Sequence, residues 1–202
     1  MDMPRDTTAG DSAEVTDDDL LAAYAAGDPA AARALTLRLT PRVLGYATRL
    51  LSDRAEAEDV AQEAMLRLWR MAPGWRRGEA QVSTWLYRVV TNLCTDRQRR
   101  RTVRAALPLD DAPEIADAGR GAEAGLIEAD RMTALQAALD SLPERQRQAV
   151  VLRHIEGLTN PEIAAVMEIG VEAVESLTAR GKRALAAALS GQRAALGYED
   201  EE

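Results

Sequence analysis

The chain is expected to fold as an all-α protein: two small helical domains joined by a flexible acidic linker, the second domain containing a helix-turn-helix. Three observations lead there. The apolar residues are mostly Ala, Leu and Val, Phe is absent, and alternating β-branched runs are missing. Apolar positions recur at spacings of three and four on both sides of the chain's middle. Between 102 and 125 that pattern stops. Pro108, Pro113, Gly119, Gly121 and Gly125 break helices there, and Asp110, Asp111, Glu114, Asp117 and Glu123 make the segment acidic. The expected layout is a disordered acidic N-terminus (1–15), a first domain (16–101), the linker (102–125), a helix-turn-helix domain (126–190) and an acidic tail (191–202).

Within the first domain, Thr16 with Asp19 predicts a helix start, Leu20, Leu21 and Tyr24 its apolar side, and Gly27 its end. Asp28-Pro29 opens a second helix, a cap followed by proline at the first position. Pro41 is expected to break or bend it, with Arg42 to Leu51 resuming. Ser52-Asp53 starts a third helix whose buried stripe is Val60, Ala64 and Leu68 with Ala61 and Met65. Ala72-Pro73-Gly74 stops it. After the loop from Trp75 to Val82, Ser83 is expected to cap a helix with Leu86, Val89, Val90 and Leu93 inside.

In the second domain one helix carries Met132, Leu135 and Leu139. Pro143 starts the next, with Val150 and Val151 inside, and Gly157 ends it. Thr159 and Glu162 form a capping box for a short helix containing Ile163, Val166 and Met167. Glu168-Ile169-Gly170 is a tight turn, and Val171 to about Leu189 a longer helix. Short helix, Gly-containing turn and long helix make the helix-turn-helix layout.

The formal net charge of −8 on 202 residues is unevenly spread. Asp2, Asp6, Asp11, Glu14 and Asp17 to Asp19 load one end; Glu199 to Glu202 load the other. The global charge repels DNA and the local basic clusters attract it. A DNA reader so built binds weakly alone and needs a partner. Cys94 is the only cysteine, so no intrachain disulfide forms, and it reads as a small buried thiol. No apolar run approaches the ~20 residues of a membrane span, and the N-terminus lacks a signal peptide's pattern, which predicts a cytoplasmic protein without membrane insertion. His154 is the only histidine, so no metal site is expected. Asp59 and Glu63 lack the neighbours of a catalytic carboxylate pair; neither an enzyme nor a cofactor is expected.

Three surfaces stand out. Asp59, Gln62, Glu63 and Arg67 share a helix face at spacings of three and four, suited to docking on a basic protein surface, or simply solvated. All three tryptophans lie between positions 69 and 85. Trp69 reads as core. Trp75 shares a loop with Arg76 and Arg77, and Trp85 lies on one helix face with Arg88, Asn92 and Arg99. Exposed rings can stack on bases pulled from a duplex while arginines hold the backbone; a half-buried structural Trp85 is the alternative. The outward face of the last helix carries Glu172, Ala173, Ser176, Arg180 and Arg183, side chains able to meet phosphates or base edges. A purely structural helix pair is the alternative there.

Three passages together resemble the extracytoplasmic-function group of bacterial RNA polymerase sigma factors. Ala57-Glu58-Asp59-Val60-Ala61-Gln62-Glu63 through Leu68-Trp69-Arg70 is similar to the family's core-polymerase-binding helix. Thr84-Trp85-Leu86-Tyr87-Arg88-Val89-Val90-Thr91-Asn92 through Arg100 is similar to its promoter-melting, −10-reading helix. Leu142-Pro143-Glu144-Arg145-Gln146-Arg147 through Ala164, with Val174 to Leu185, is similar to its −35-reading domain. The resemblance spans about residues 18 to 190.

It implies an alternative sigma factor, serving a stress response, that binds core RNA polymerase, directs it to promoter DNA and opens the duplex. Asp59, Gln62 and Glu63 would dock on the coiled-coil clamp of the largest polymerase subunit. The Trp75–Val82 loop would hold a flipped base; Arg88, Asn92 and Arg99 would follow the non-template strand. The acidic linker would thread toward the RNA exit path. An anti-sigma partner covering both DNA-facing surfaces is also implied. Where the family often shows Val-Lys-Ser-Arg, this chain has Val174-Glu175-Ser176-Leu177, a departure that bears on −35 reading. The competing function is a dimeric helix-turn-helix regulator acting on an operator without polymerase. It leaves the clamp-like helix, the tryptophan cluster and the acidic linker unexplained.

Overall fold

The computed structural model describes residues 15–76, 78, 80–105 and 123–190; the expectations for 1–14, for 191–202 and for most of the linker lie outside them. Within the described residues the chain forms helices α1 (Asp17–Ala25), α2 (Pro29–Leu51), α3 (Arg54–Met71), α4 (Val82–Ala105), α5 (Glu123–Asp140), α6 (Glu144–His154), α7 (Asn160–Met167) and α8 (Val171–Ser190), with a single 3₁₀ turn at Ala72–Gly74. No strand occurs among them. α1 to α4 build one helical unit and α5 to α8 a second.

The helix starts follow from their caps. The Thr16 hydroxyl accepts from Asp19 N and the Asp19 carboxylate accepts from Thr16 N, a complete capping box. Asp28 accepts from Ala30 N at 2.8 Å ahead of Pro29 at the first helical position. Asp53 caps α3 through Glu56 N. Ser52 stands between α2 and α3 in left-handed backbone, φ 55°. Gly27, φ 96°, closes α1 where a side chain is disfavoured.

Several boundaries differ from expectation. α2 runs unbroken through Pro41. Proline in a helix interior costs about 3 kcal/mol. Leu35, Leu39, Val43, Tyr46 and Leu50 on its inner face are all at most 2 % exposed, and burial at roughly 1.5–3 kcal/mol per large side chain exceeds that cost. Pro41 itself lies on the exposed side, where water can serve the carbonyl left without a donor. α4 starts at Val82, so Ser83 lies inside the helix rather than capping it; Val82 is drawn into the core at 1 % exposed. α4 continues to Ala105 and α5 begins at Glu123, so both helices extend into the segment expected to link the domains. Of the three apolar residues expected on α5, Leu139 is fully buried, Leu135 packs against the core and Met132 is exposed; Leu142, just past the helix, is buried as well.

The two units pack against each other, and their buried side chains form one continuous core. α7 lies on α4, and α6 meets α2. Much of this contact is polar. Arg147 donates to Leu50 O at 2.9 Å and Gln136 to Arg49 O at 3.3 Å, so side chains of the second unit serve last-turn carbonyls of α2. Thr95 donates to the Glu144 carboxylate at 2.6 Å, and the Tyr87 hydroxyl to Glu156.

Candidate nucleic-acid and polymerase interface

On α3 the four expected residues share the outer face. Asp59 is largely exposed, its carboxylate 3.9 Å from Arg97. Gln62 is exposed. Glu63 pairs with Arg67 at 2.8 Å, and that bond holds the Glu63 carboxyl below its ordinary range. Beside this polar rim runs a groove of about 340 Å³ between α2 and α3, with Leu44, Met65, Leu66 and Trp69 among its walls. Leu66 is 41 % exposed. The apolar groove was missed from sequence. Leu66 beside Arg67 reads as one step off the buried stripe, and only the packing of α2 shows that it borders a cleft.

Four of the seven residues expected at the −10 surface come together. Trp75, Arg76, Trp85 and Arg88, with Met71, Gly74 and Ala80, wall a pocket of about 400 Å³. Arg77 lies outside the described residues. Asn92 and Arg99 are exposed along α4 beyond the pocket. Trp75 and Trp85 are both half-buried, so each ring packs on the core and also faces the pocket. Trp69 packs on Tyr24 with ring centroids 4.7 Å apart and leans on the core, as read from sequence, but it is only half-buried because its other side borders the groove. Two arginines of the basic run serve the fold instead: Arg97 bonds Glu56 O and its carboxylate, and Arg101 bonds Leu51 O and Asp53. Cys94 is 1 % exposed, and burial pushes its thiol up to about 12.

On the buried side of α4, Tyr87 packs edge-to-face on Tyr46 at 5.2 Å, with the Arg42 guanidinium 5.7 Å over its ring. Burial, chiefly, and the Glu156 carboxylate drive the Tyr87 hydroxyl far above its usual range, so it remains a donor. Arg88 lies 3.8 Å from Glu168, in the turn of the helix-turn-helix.

That turn is built as the sequence predicts. Thr159 and Glu162 form the capping box of α7. Glu168 takes left-handed backbone, φ 53°. Glu172, Ala173, Ser176, Arg180 and Arg183 are all exposed on α8, and Arg180 donates to Ser176 O at 3.2 Å. Two features explain the departure at Glu175 and Leu177. Leu177 packs against the core, and Glu175 accepts from Asn160 at the start of α7. Gly181, unnoticed in the sequence, lets α8 approach α6: a Cβ there would stand 2.5 Å from Val150 Cγ2 and 3.1 Å from Gln146 O. His154 is pushed below its ordinary value by partial burial, then by Lys182 and Arg153. No helix among the described residues is long and apolar enough to cross a membrane.

A helical unit with an aromatic, arginine-flanked pocket, followed by a helix-turn-helix, defines a promoter-reading class of protein, and the comparisons fit that class. The family model for Sigma-70 region 2 matches residues 35–104, and that for Sigma-70, region 4 matches 132–185. The chain is 37% identical over 174 residues to the ECF RNA polymerase sigma factor SigM of Mycobacterium tuberculosis (strain ATCC 25618 / H37Rv), covering 86% of this chain and 84% of that one. Its fold matches CnrH, solved in complex with the cytosolic domain of CnrY, at TM-score 0.64, 24% identity, 87% of this chain and 97% of that one. It also matches RpoE of Bartonella quintana, solved with the anti-sigma factor NepR, at TM-score 0.63, 20% identity, 78% and 96%.

The chain belongs to the ECF sigma factors of bacterial RNA polymerase. It is an alternative sigma factor that binds core polymerase and promoter DNA; the operator-binding dimer is not favoured, because the region 2 match covers the half such a regulator leaves unexplained.

Proposed function

We propose a division of labour among these surfaces. The Asp59, Gln62, Glu63 and Arg67 face, with the groove beside it, docks on core polymerase. The pocket of Trp75, Arg76, Trp85 and Arg88 receives an unpaired promoter base, and Asn92 and Arg99 track the adjoining strand. Arg77, by its sequence position, joins them. Glu172, Ala173, Ser176, Arg180 and Arg183 face the upstream duplex. The observation that carries this reading is the pocket itself: two tryptophans and two arginines converge on about 400 Å³, space for a base stacked on rings. The protein acts as an initiation factor in the cytoplasm, without chemistry of its own.

The docked arrangement is one the protein leaves when it works. The names of the −10 and −35 elements put them about 25 base pairs apart, which at about 3.4 Å per base pair is roughly 85 Å of duplex. Glu168, just ahead of the recognition helix, is 3.8 Å from Arg88 at the pocket. α8 has 20 residues, about 30 Å of helix. Its reading face therefore cannot reach the upstream element while the pocket holds the downstream one. The two units separate on the polymerase. An anti-sigma partner bound to the closed form would prevent this, and the fold likeness to the sigma factor RpoE of Bartonella quintana, solved with the anti-sigma factor NepR, supports one here.

The test is run-off transcription with purified core polymerase and a genomic promoter pool. Defined transcripts that depend on this protein support the reading. Operator-like binding by the protein alone, with no transcript, would overturn it.

A further inference from the structure

The acidic stretch Asp17-Asp18-Asp19 reads in sequence as charge loaded on the N-terminus. In the structure its members have separate tasks. Asp17 pairs with Arg38 at 2.8 Å, and Arg38 also donates to Val15 O, which ties the start of α1 to α2. Asp19 completes the capping box with Thr16. Leu21 is fully buried. With α1 so anchored, Asp18 accepts the indole N–H of Trp75 at 2.8 Å, across a sequence separation of 57.

Trp75 stands directly after the 3₁₀ turn and forms one wall of the pocket. An indole has a single donor. Once that donor is held by Asp18, the ring cannot swing about its side-chain torsions without breaking a charge-assisted bond. It offers its neighbours a π face and no hydrogen. Polar contact with a base then falls to Arg76 and Arg88.

We propose that Asp18 is a positioning residue for strand opening: from α1 it fixes the indole of Trp75 as a stacking wall for the unpaired promoter base. This rests on the pocket assignment made under Proposed function. Asp18 touches no DNA itself; it acts through Trp75. The prior order of the ring lowers the cost of capturing a base, because the wall need not be arranged when the base arrives.

The experiment measures the rate of open-complex formation by holoenzyme on a duplex promoter for Asp18→Ala, Asp18→Asn, Trp75→Ala and Trp75→Ala with Asp18→Ala, alongside core binding and thermal midpoint. Asp18→Ala is expected to slow opening about tenfold, the scale of one charge-assisted hydrogen bond. Asp18→Asn keeps an acceptor oxygen but not the charge, so the bond weakens by about half and opening should slow about threefold, while core binding is unchanged. In the Trp75→Ala background Asp18→Ala should add less than about twofold, since its route of action is already gone. A slow Trp75→Ala with a normal Asp18→Ala overturns the proposal and leaves the pocket standing. A normal Trp75→Ala overturns the pocket assignment and the proposal with it. Full additivity of the two changes, or equal defects in the Asn and Ala variants, assigns Asp18 to the charge and stability of α1 and also overturns the proposal.

Discussion

The carboxylate of Glu168 lies 3.8 Å from the guanidinium of Arg88, joining the turn of the helix-turn-helix to the helix that walls the aromatic pocket. The pair is partly exposed and contributes little by itself. Its importance is geometric, since it marks where the two surfaces proposed to face DNA have been brought together. Separation should be visible directly. Labels on exposed Asp96→Cys and Ala179→Cys need no removal of the buried Cys94. They are expected within about 40 Å of each other in the free protein, by helix rise from Arg88 and Glu168, and at distances approaching the roughly 85 Å element spacing in a promoter complex. An unchanged distance would contradict the opening.

Arg147 is the clasp of the closed form. It donates to Leu50 O, to Asp140 O and to the Asp140 carboxylate, and its side chain is 13 % exposed. Leu50 O also accepts from Gln98, so Arg147→Ala removes one of its two side-chain donors together with the charged bonds to Asp140. A loss of about 1–3 kcal/mol in urea unfolding is expected, with faster proteolysis between the units. Unaltered stability would mean the contacts are replaced by water at no cost.

Gly181→Ala tests the close packing of α8 on α6. Helix propensity favours the alanine by about 1 kcal/mol. The new methyl meets Val150 at 2.5 Å and Gln146 O at 3.1 Å, and overpacking of this kind typically costs 1–3 kcal/mol. Net destabilisation, read by chemical unfolding, is expected; a stabilised variant would show that the helices can part freely.

For polymerase docking, Asp59→Ala with Gln62→Ala and Glu63→Ala should weaken capture of core enzyme without loss of helicity. Leu66→Ala should weaken it as well, since Leu66 is an exposed apolar side chain on the groove. Intact capture by all variants would move the docking surface elsewhere.

Upstream recognition is expected to depend on Arg180 and Arg183. Replacing either with alanine costs about 1–3 kcal/mol and relaxes one base preference if it reads a base edge; a phosphate contact lowers binding evenly. Promoter use unaffected by both changes would misplace the reading face.

How far these features could be read in advance depended on whether their cause is local. Thr16 with Asp19, Asp28 before Pro29, and Thr159 with Glu162 are caps made within a few residues, and each formed as expected. The gathering of Trp75, Trp85 and Arg88 followed from their closeness in the chain and the helical spacing of the last two. Pro41 went the other way because burial on the inner face of α2, invisible at that residue, outweighs its local penalty. Asp18, Leu66, Arg147 and Gly181 acquire their roles only from distant partners: an indole, a cleft, the end of another helix, a neighbouring backbone. Nothing in their immediate sequence marks them.

The central claim is that the tryptophan pocket receives an unpaired base, and Trp85→Ala tests it most directly. Unstacking and unpairing a base costs a few kcal/mol, and a stacking platform returns roughly 1–3 kcal/mol. Permanganate footprinting of unpaired thymines should show holoenzyme formed normally but open complexes reduced on duplex promoter. On a template with a pre-melted bubble, most of that defect should vanish. An equal defect on the bubble would show that Trp85 serves only to pack the first helical unit.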